Sequence, residues 1–446
     1  MRLKWTAATG TRMSGTWVSR GRVSGTCVSG TLVLISLVAA LLAACTPVAN
    51  CAKKTVLLSF EGEASEIRDV WIPIKTMYEK LNPGIVIELW PNVLIDKLVT
   101  QMAAGKPPDL WQATGYQAVG VGLSGLATDI SPLVKKDKDF RLEVLHKGAV
   151  DGYRFKGKLY GLPAQFYTTG IWVNKTALGK AGLPVPPRSW TWADYELYCK
   201  KLTLDTNGDG RPERFGASML TSWGRGMEFD LPWVNSAGGR VTDDLANPQK
   251  IDFTSDGTRA AMSFLKKLMD LKLIMRGYYA DFQTGKAAMT PYYPIGQRLT
   301  AAIAKKFEYD VAYLPIGPKG SINNLVSVGF LLPKNAPHPV EAWRFLKWLV
   351  TEGHLNQNFI PAATKFRTEK LWPPKSVDPF NPDPFMDAAD TALQNPNFPS
   401  YYDVLAPWTQ ASDYFMSGKK GYEQAFGPAE KEAQAILTRV LKRYSK

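Results

Sequence analysis

The chain is poor in the residues that carry most metal and nucleophile chemistry. It has only three histidines and four cysteines in 446 residues. Their spacing matches no zinc pattern, and the motifs HExxH, GxSxG and GxxxxGK[ST] are absent. Catalysis of these kinds is therefore not favoured by the composition.

Acidic residues are outnumbered, at 40 Asp+Glu against 54 Lys+Arg, a net charge of +14. Five of the basic residues lie within 1–44, which has no acidic one, so the rest of the chain carries 49 against 40, or +9. No run of Lys and Arg there forms a basic stripe, so no nucleic-acid partner is expected. The 45% apolar and 21% charged residues are typical of a soluble globular protein, with two or three domains at this length.

An export signal is predicted at the N-terminus. Basic residues precede an apolar run at 32–42, which is too short for a comfortable membrane span and is followed by small residues. The run ends in Leu42-Ala43-Ala44-Cys45, which resembles the lipobox of bacterial lipoproteins, whose cysteine is acylated. The alternative is a plain signal peptide with a cysteine at its end.

We therefore expect a signal peptide at 1–44, lipidation of Cys45 and a lipid-anchored tether at 45–54. The stretch before the apolar run is long, so Met13 rather than Met1 is a possible start. Acylation would leave Cys51 and Cys199 as thiols, and whether they pair stays open.

Strands and helices alternate at the start of the folded body. Strands are predicted at 55–60, 85–90 and 109–113, with helices near 67–81 and 94–104 between them. This alternation is typical of βαβ units, hence of an α/β fold with a largely parallel sheet. Ligands bind beyond the carboxyl ends of such strands, which singles out three loops: 61–63, 91–92 and 112–116.

Later in the chain, apolar periodicity predicts amphipathic helices over 252–273, around 342–349 and around 433–441. The segment from about Lys365 to Pro407, rich in Pro, Asp and aromatic residues, is predicted to be a long wrapped connection.

Two short motifs are discounted. Residues 120–125 fit GxGxxG, but Ser131-Pro132 follows too soon for the helix that a dinucleotide site requires, so a turn is predicted. Residues 263–266 fit SxxK but lie within a predicted amphipathic helix.

The segment 205–210 is a candidate calcium loop. Asp205, Asn207 and Asp209 occupy positions 1, 3 and 5, Gly210 occupies position 6, and Arg211 and Glu213 follow at positions 7 and 9. Position 12 is Gly216, so the usual closing carboxylate is missing. A tight surface turn is the alternative.

An ordered series of segments runs through the body of the chain. The series comprises GKLYGLP at 157–163, GIWVNK at 170–175, AGL at 181–183, PRSWTW at 187–192, NSAGG at 235–239, GKAAM at 285–289, YLPIGP at 313–318, VGF at 328–330 and IPA at 360–362. From about residue 55 to the end, the chain resembles an extracellular solute-binding protein of the family that includes maltose-binding protein and serves ABC sugar importers.

The resemblance implies a two-lobed periplasmic-binding-protein fold, with crossing hinge strands and a ligand cleft between the lobes. Lobe 1 would comprise 53–166 and 331–380, and lobe 2 would comprise 170–328 and 384–446. Crossovers are expected near 166–169, near 327–331 and around 380.

The implied function is capture of a neutral mono- or oligosaccharide and its delivery to an ABC permease, by a monomer without enzymatic activity or a required cofactor. The alternatives are a binding protein for a polyamine, metal or phosphate ester, and an exported carbohydrate-active enzyme with two carboxylates across a cleft.

Sugar binding needs aromatic faces for the apolar side of a pyranose and polar partners for its hydroxyls. The loops at the strand ends supply this mixture, and in the resembling family these regions contact the ligand. The predicted contacts are Glu61, Glu63, Trp111, Gln112, Gln165, Tyr167, Trp223, Tyr292, Tyr293, Phe330, Tyr401 and Tyr402. By contrast, Trp172, Trp343 and Trp348 are predicted to fill core.

Overall fold

The computed structural model describes residues 54–60, 67–91, 95–220, 226–294, 306–353, 359–373 and 380–443. These belong to one compact unit. The predicted signal peptide, Cys45 and Cys51 lie outside the described residues, as do Glu61, Glu63 and Trp223.

Three parallel strands open the first sheet. Strand β1 (Lys54–Phe60) pairs in parallel with β2 (Ile85–Pro91) and with β3 (Leu110–Thr114). A π-helical turn (Ile67–Trp71) continues into helix α1 (Ile72–Leu81), and α2 (Ile95–Ala103) joins β2 to β3. The alternation predicted for this region is confirmed.

The other strands of this sheet depart from the predicted parallel arrangement. Strands β6 (Leu162–Tyr167), β12 (Asn324–Leu331) and β13 (Ile360–Pro361) give the order β13-β6-β12-β3-β1-β2, with β14 (Leu393–Gln394) beside β12. Strand β12 runs antiparallel to both β3 and β6. Only the first three strands are joined by direct βαβ connections, whereas β12 returns from the later part of the chain.

Smaller sheets account for the remaining described strands. Strand β7 (Gly170–Asn174) lies between β10 (Met289–Tyr292) and β11 (Tyr309–Ala312), antiparallel to both. Strands β8 (Ala217–Leu220) and β9 (Ile274–Gly277) form a parallel pair, and β4 (Arg154–Phe155) and β5 (Lys158–Leu159) form a hairpin.

The remaining helices surround these sheets, together with a 3-10 turn at Leu142–Val144. They are α3 (Gly115–Leu123), α4 (Ser131–Lys136), α5 (Lys147–Asp151), α6 (Lys175–Lys180), α7 (Trp192–Leu202), α8 (Gly226–Ser236), α9 (Asp256–Asp270), α10 (Tyr279–Gln283), α11 (Pro339–Thr351), α12 (Thr364–Thr368), α13 (Asp383–Ala388), α14 (Tyr401–Met416) and α15 (Tyr422–Arg443). The three predicted amphipathic helices correspond to α9, α11 and α15.

Two large sets of buried apolar side chains stabilise the molecule. The first core packs helices α1 and α11 on the first sheet, with members such as Leu58 and Phe345. The second core lies among helices α7, α8, α9, α14 and α15, with members such as Leu265, Trp408 and Leu437. Burying a side chain of this size contributes about 1.5–3 kcal/mol, so both cores contribute substantially to the stability of the fold.

The chain crosses between the sheets at the buried pair Thr168 and Thr169. Strand β6 of the first sheet ends just before this pair, and β7 of the second sheet begins just after it. The return crossing precedes β12, because this strand pairs with β14 at its start and then with β6 and β3 of the first sheet. The crossover expected near 327–331 therefore lies inside a strand, and the predicted limits of the two lobes stay predictions.

The turn predicted over residues 120–125 is limited to 124–125, and the residues before them are helical. Gly120 and Gly122 lie inside helix α3, because a capping box of Thr114 and Gln117 starts this helix directly after β3. A Cβ atom at Gly122 would lie 2.2 Å from the ring of Tyr160. These glycines thus permit close packing and do not lie between strand and helix, where a dinucleotide fingerprint needs them.

The long connection predicted over 365–407 is also wrong in part. It contains the short helices α12 and α13, and helix α14 begins at Tyr401 and includes Pro407. The core prediction for Trp172 is confirmed, since its ring is fully buried against Tyr309 and Phe385.

Candidate functional site

A buried tyrosine, Tyr116, follows the carboxyl end of strand β3. The Thr114 backbone N–H donates to Oε1 of Gln117 at 2.9 Å, which fixes the first turn of α3. Tyr116 lies in this turn and is only 3% exposed. The carboxyl end of this strand thus places a hydroxyl and a ring where α/β sheets present ligand-binding groups.

A buried carboxylate accepts the hydroxyl of Tyr116. Glu228, on helix α8, is 2% exposed and accepts at Oε1 from Tyr116 at 3.0 Å. Its Oε2 lies 3.4 Å from the donating hydroxyl of Tyr167, at the end of β6. A buried carboxyl group needs such hydrogen bonds to offset its loss of water. The three side chains come from α3, β6 and α8. The cluster therefore connects elements that precede the crossover at Thr168 and Thr169 with a helix that follows it.

Two neighbouring tyrosines extend the cluster from helix α14. The ring of Tyr401 stacks on that of Tyr116, with centroids 3.9 Å apart and an angle of 16° between the planes. The hydroxyl of Tyr402 lies 3.3 Å from that of Tyr116. Tyr402 is 41% exposed whereas Tyr401 is 6% exposed, so the cluster reaches solvent at Tyr402.

A second group of rings adjoins Tyr167. Its ring lies 4.5 Å from that of Tyr293, which stacks on Tyr292 at 4.1 Å. Tyr292 also stacks on Phe229, one residue after Glu228, at 5.5 Å. The Tyr292 hydroxyl donates to that of Tyr293 at 3.0 Å. Aromatic faces and hydroxyls therefore lie close together near Glu228. This arrangement is suited to a polar ligand that also has apolar faces.

The structure brings together five of the predicted contact residues and separates others. Tyr167, Tyr292, Tyr293, Tyr401 and Tyr402 lie in this cluster of rings, and their contact with a ligand stays a prediction. Gln112 and Gln165 are 8% and 4% exposed within the first sheet, and Oε1 of Gln165 has no hydrogen-bond partner there.

Trp111 and Phe330 require correction. Both side chains are 0% exposed and belong to the first core, where Phe330 packs edge-on against Trp71. Neither ring presents a free face to a ligand in this conformation. The sequence placed both near strand ends, but alternation along a strand cannot decide which face of a sheet is covered.

Sequence reasoning missed Glu228 and Phe229, and it did not include Tyr116 among the contacts. Tyr116 lay in a loop that the strand pattern singled out. Glu228 gave a weaker signal, because an acid between Met227 and Phe229 at the start of a helix is common in a protein core. Its role depends on Tyr116, 112 residues earlier in the chain.

The Asp205 loop is built as a hydrogen-bonded turn. The two carboxylate oxygens of Asp205 accept the backbone N–H groups of Gly208 and Gly210, each at 2.9 Å. Glu213 accepts the backbone N–H and the hydroxyl of Thr206, and these bonds lower the pKa of Glu213. Within the described residues no three His, Cys, Asp or Glu side chains converge as a metal site.

The carboxylates of Asp205 and Glu213 thus accept hydrogen bonds from within the loop, which fits a turn better than a calcium site. Calcium binding by Asp205, Asn207, Asp209, Arg211 and Glu213 stays a prediction, which melting curves in chelator and in millimolar calcium would test. The pairing of Cys199 also stays open. Its side chain is fully buried, and burial raises the pKa of its thiol.

The profile of the bacterial extracellular solute-binding protein family matches residues 63–354. The chain belongs to this family. Membership of this extracellular family makes the chain an exported protein. No helix in the described part is long and apolar enough to cross a membrane.

Solved structures of solute-binding proteins share the fold at low sequence identity. An ABC substrate-binding protein from Listeria monocytogenes, solved with cycloalternan, has 20% identity and a TM-score of 0.73, covering 87% of this chain and 99% of that one. The sugar-binding protein MalE from Xanthomonas citri has 18% identity and a TM-score of 0.73, covering 88% and 100%. The cyclic alpha-maltosyl-1,6-maltose binding protein from Arthrobacter globiformis has 18% identity and a TM-score of 0.73, covering 87% of this chain and 100% of that one. The fold of this chain is therefore the two-lobed solute-binding fold.

Proposed function

We propose that this solute-binding protein captures a neutral mono- or oligosaccharide between its lobes and delivers it to the permease of an ABC importer. The observation that carries the proposal is the cluster of Tyr116, Tyr401 and Tyr402 around the carboxylate of Glu228. It combines stacked rings, hydroxyls and a buried acceptor in one place.

The chemistry of the cluster matches that of a sugar. A pyranose has an apolar C–H face that packs on an aromatic ring, and hydroxyls that lose water when they are buried. Affinity is kept only if directional partners replace that water. Tyr402, the most exposed ring of the cluster, is suited to the apolar face, and tyrosine hydroxyls and Glu228 are suited to the sugar hydroxyls.

Structures with the same fold support a carbohydrate ligand. The Listeria protein was solved with cycloalternan, and the Arthrobacter protein is described as binding a cyclic maltosyl-maltose. Another, from Thermotoga lettingae, was solved with alpha-D-tagatose. These ligands range from a monosaccharide to cyclic oligosaccharides, so the length of the sugar is left open.

The proposal also covers the context of binding. The protein makes and breaks no covalent bond, acts as a monomer without nucleic acid, and is held at the membrane by lipid on Cys45. Lipid burial contributes about 0.8 kcal/mol per methylene, and two or more chains anchor stably. Its protein partners are the permease subunits, which receive the sugar. The ATPase of the importer supplies the energy for transport.

A thermal-shift screen of the purified full chain tests the proposed ligand. The panel contains maltose, maltotriose, mannobiose, mannotriose and tagatose, with spermidine and glucose 6-phosphate for the alternatives. A ligand at a hundredfold excess over its Kd stabilises by about 2.7 kcal/mol. We expect a neutral sugar to raise the melting temperature and to be recovered chemically unchanged. A shift with spermidine or the phosphate ester alone would refute the sugar assignment, and a cleaved sugar would refute the non-enzymatic one.

A further inference from the structure

A chain of buried amides runs from the crossover to the candidate site. The hydroxyl of Thr169 donates to Oδ1 of Asn324 at 3.1 Å. Nδ2 of Asn324 donates to Oδ1 of Asn395 at 3.3 Å, and Nδ2 of Asn395 donates to the hydroxyl of Tyr401 at 3.2 Å. Nδ2 of Asn324 also donates to the backbone carbonyl of Glu228 at 3.0 Å.

Every member of this chain is shielded from water. Thr169, Asn324 and Asn395 are each 3% exposed, and Tyr401 is 6% exposed. Buried amides are costly unless their hydrogen bonds are made, and networks of such bonds are cooperative and define one arrangement. All three side-chain links donate in the same direction, from Thr169 towards Tyr401. The position of Tyr401 therefore depends on where the crossing strand places Thr169 and Asn324.

The two ends of the network belong to different parts of the binding machinery. Thr169 lies where the chain passes from the first sheet to the second, and Asn324 begins strand β12, which returns to the first sheet. At the other end, Tyr401 stacks on Tyr116, and Glu228 accepts from the hydroxyl of Tyr116. A movement at the crossover would thus be transmitted directly to the ring pair.

We propose that Asn324 and Asn395 are positioning residues that couple the crossing strands to the sugar site through Tyr401 and Glu228. This inference rests on the proposed function. Neither asparagine touches the sugar in this proposal. Each changes affinity by setting the orientation of the Tyr401 ring or of the Glu228 backbone.

The test compares two buried asparagines of one segment in the full chain. Asn395→Ala removes the link to Tyr401. Asn397→Ala is the matched control, because Asn397 is 1% exposed and its Nδ2 donates to the carbonyls of Asp151 and Arg154, at 3.4 and 3.1 Å, away from Tyr401. Maltotriose and mannotriose serve as probes, with Kd from calorimetry and melting temperature measured on each variant.

We expect both variants to melt at a lower temperature than wild type, and only Asn395→Ala to weaken binding, by about tenfold in Kd. A double-mutant cycle with Tyr401→Phe should show that Asn395→Ala has little further effect on Kd once the Tyr401 hydroxyl is gone. Equal affinities of wild type and Asn395→Ala, or equal losses in Asn395→Ala and Asn397→Ala, would overturn the coupling while the proposed function stands. If the wild-type chain binds no sugar of the full panel, the proposed function fails first.

Discussion

The indole N–H of Trp408 donates to Oδ2 of Asp230 at 2.9 Å, inside the second core. The other carboxylate oxygen of Asp230 is buried without a hydrogen-bond partner. Asp230 is two residues from Glu228 on α8, and Trp408 shares helix α14 with Tyr401 and Tyr402. This bond therefore joins the helix that carries Glu228 to the helix that carries Tyr401 and Tyr402, and it involves a titratable group.

The contribution of Asp230 to stability is expected to fall as the pH rises from about 4 to about 7. Burial raises the pKa of Asp230 to about 7; the hydrogen bond from Trp408 and the charge of Arg276 oppose this shift, and the charge of Asp413 adds to it. The unfolded carboxyl ionises near 3.9, so between these values the native state binds more protons and loses stability with increasing pH. A shift of about three units corresponds to about 4 kcal/mol.

Urea unfolding of wild type and Asp230→Asn from pH 4 to pH 8 measures this dependence. The variant should show a flatter profile and be more stable than wild type at pH 8. Asp270→Asn, at an exposed ion pair with Lys266, is the control and should keep the wild-type slope. Parallel profiles of wild type and Asp230→Asn would contradict the assignment.

Tyr402→Ala should weaken sugar binding with little loss of stability. The ring is 41% exposed, so its removal leaves no buried cavity, whereas a stacking face for the sugar is lost. Affinity for the sugar found in the screen is expected to fall about tenfold, or about 1.4 kcal/mol. Tyr414→Ala, on the same helix but beside Lys420, should bind like wild type. Unchanged calorimetric Kd in Tyr402→Ala would remove this residue from the site.

Gly122→Ala is expected to destabilise the fold by about 1–3 kcal/mol. The new methyl group would lie 2.2 Å from the Tyr160 ring, which has to move. Gly179→Ala is the matched control, because it is also helical and its Cβ would meet nothing within 4 Å. It should be neutral or stabilise by about 0.4–1 kcal/mol. The denaturant midpoint of Gly122→Ala should therefore lie below that of wild type, and that of Gly179→Ala at or above it; equal midpoints of the two variants would refute the packing role of Gly122.

Cys45→Ala should release the protein from the membrane. Without the thiol there is no acylation site, and the lipid contribution to membrane binding is lost. When the producing bacterium is fractionated, the variant should be found in the soluble extracytoplasmic fraction and the wild type in the membrane fraction. Cys27→Ala, within the predicted signal peptide, is the control; membrane retention of Cys45→Ala at the wild-type level would rule out lipidation there.

Local pattern was sufficient for much of the fold. Residues 55–60, 85–90 and 109–113 carried their strand signal in runs of apolar residues, and the helix over 256–270 carried its own in apolar residues at helical spacing. The resemblance to solute-binding proteins depended on the order of segments along the whole chain. The turn predicted at 120–125 was wrong for most of this segment because helix α3 begins earlier than the glycines, at a capping box formed by Thr114 and Gln117.

The sequence by itself determined the strand and helix periods and the prediction of an export signal, because each depends on residues close together in the chain. Only the tertiary structure decided that Trp111 faces a core and that Tyr116 meets Glu228 across 112 residues. Which side of a strand is covered, and which distant hydroxyl satisfies a buried carboxylate, depends on how the two cores pack. That packing is set by long-range contacts that no local pattern contains.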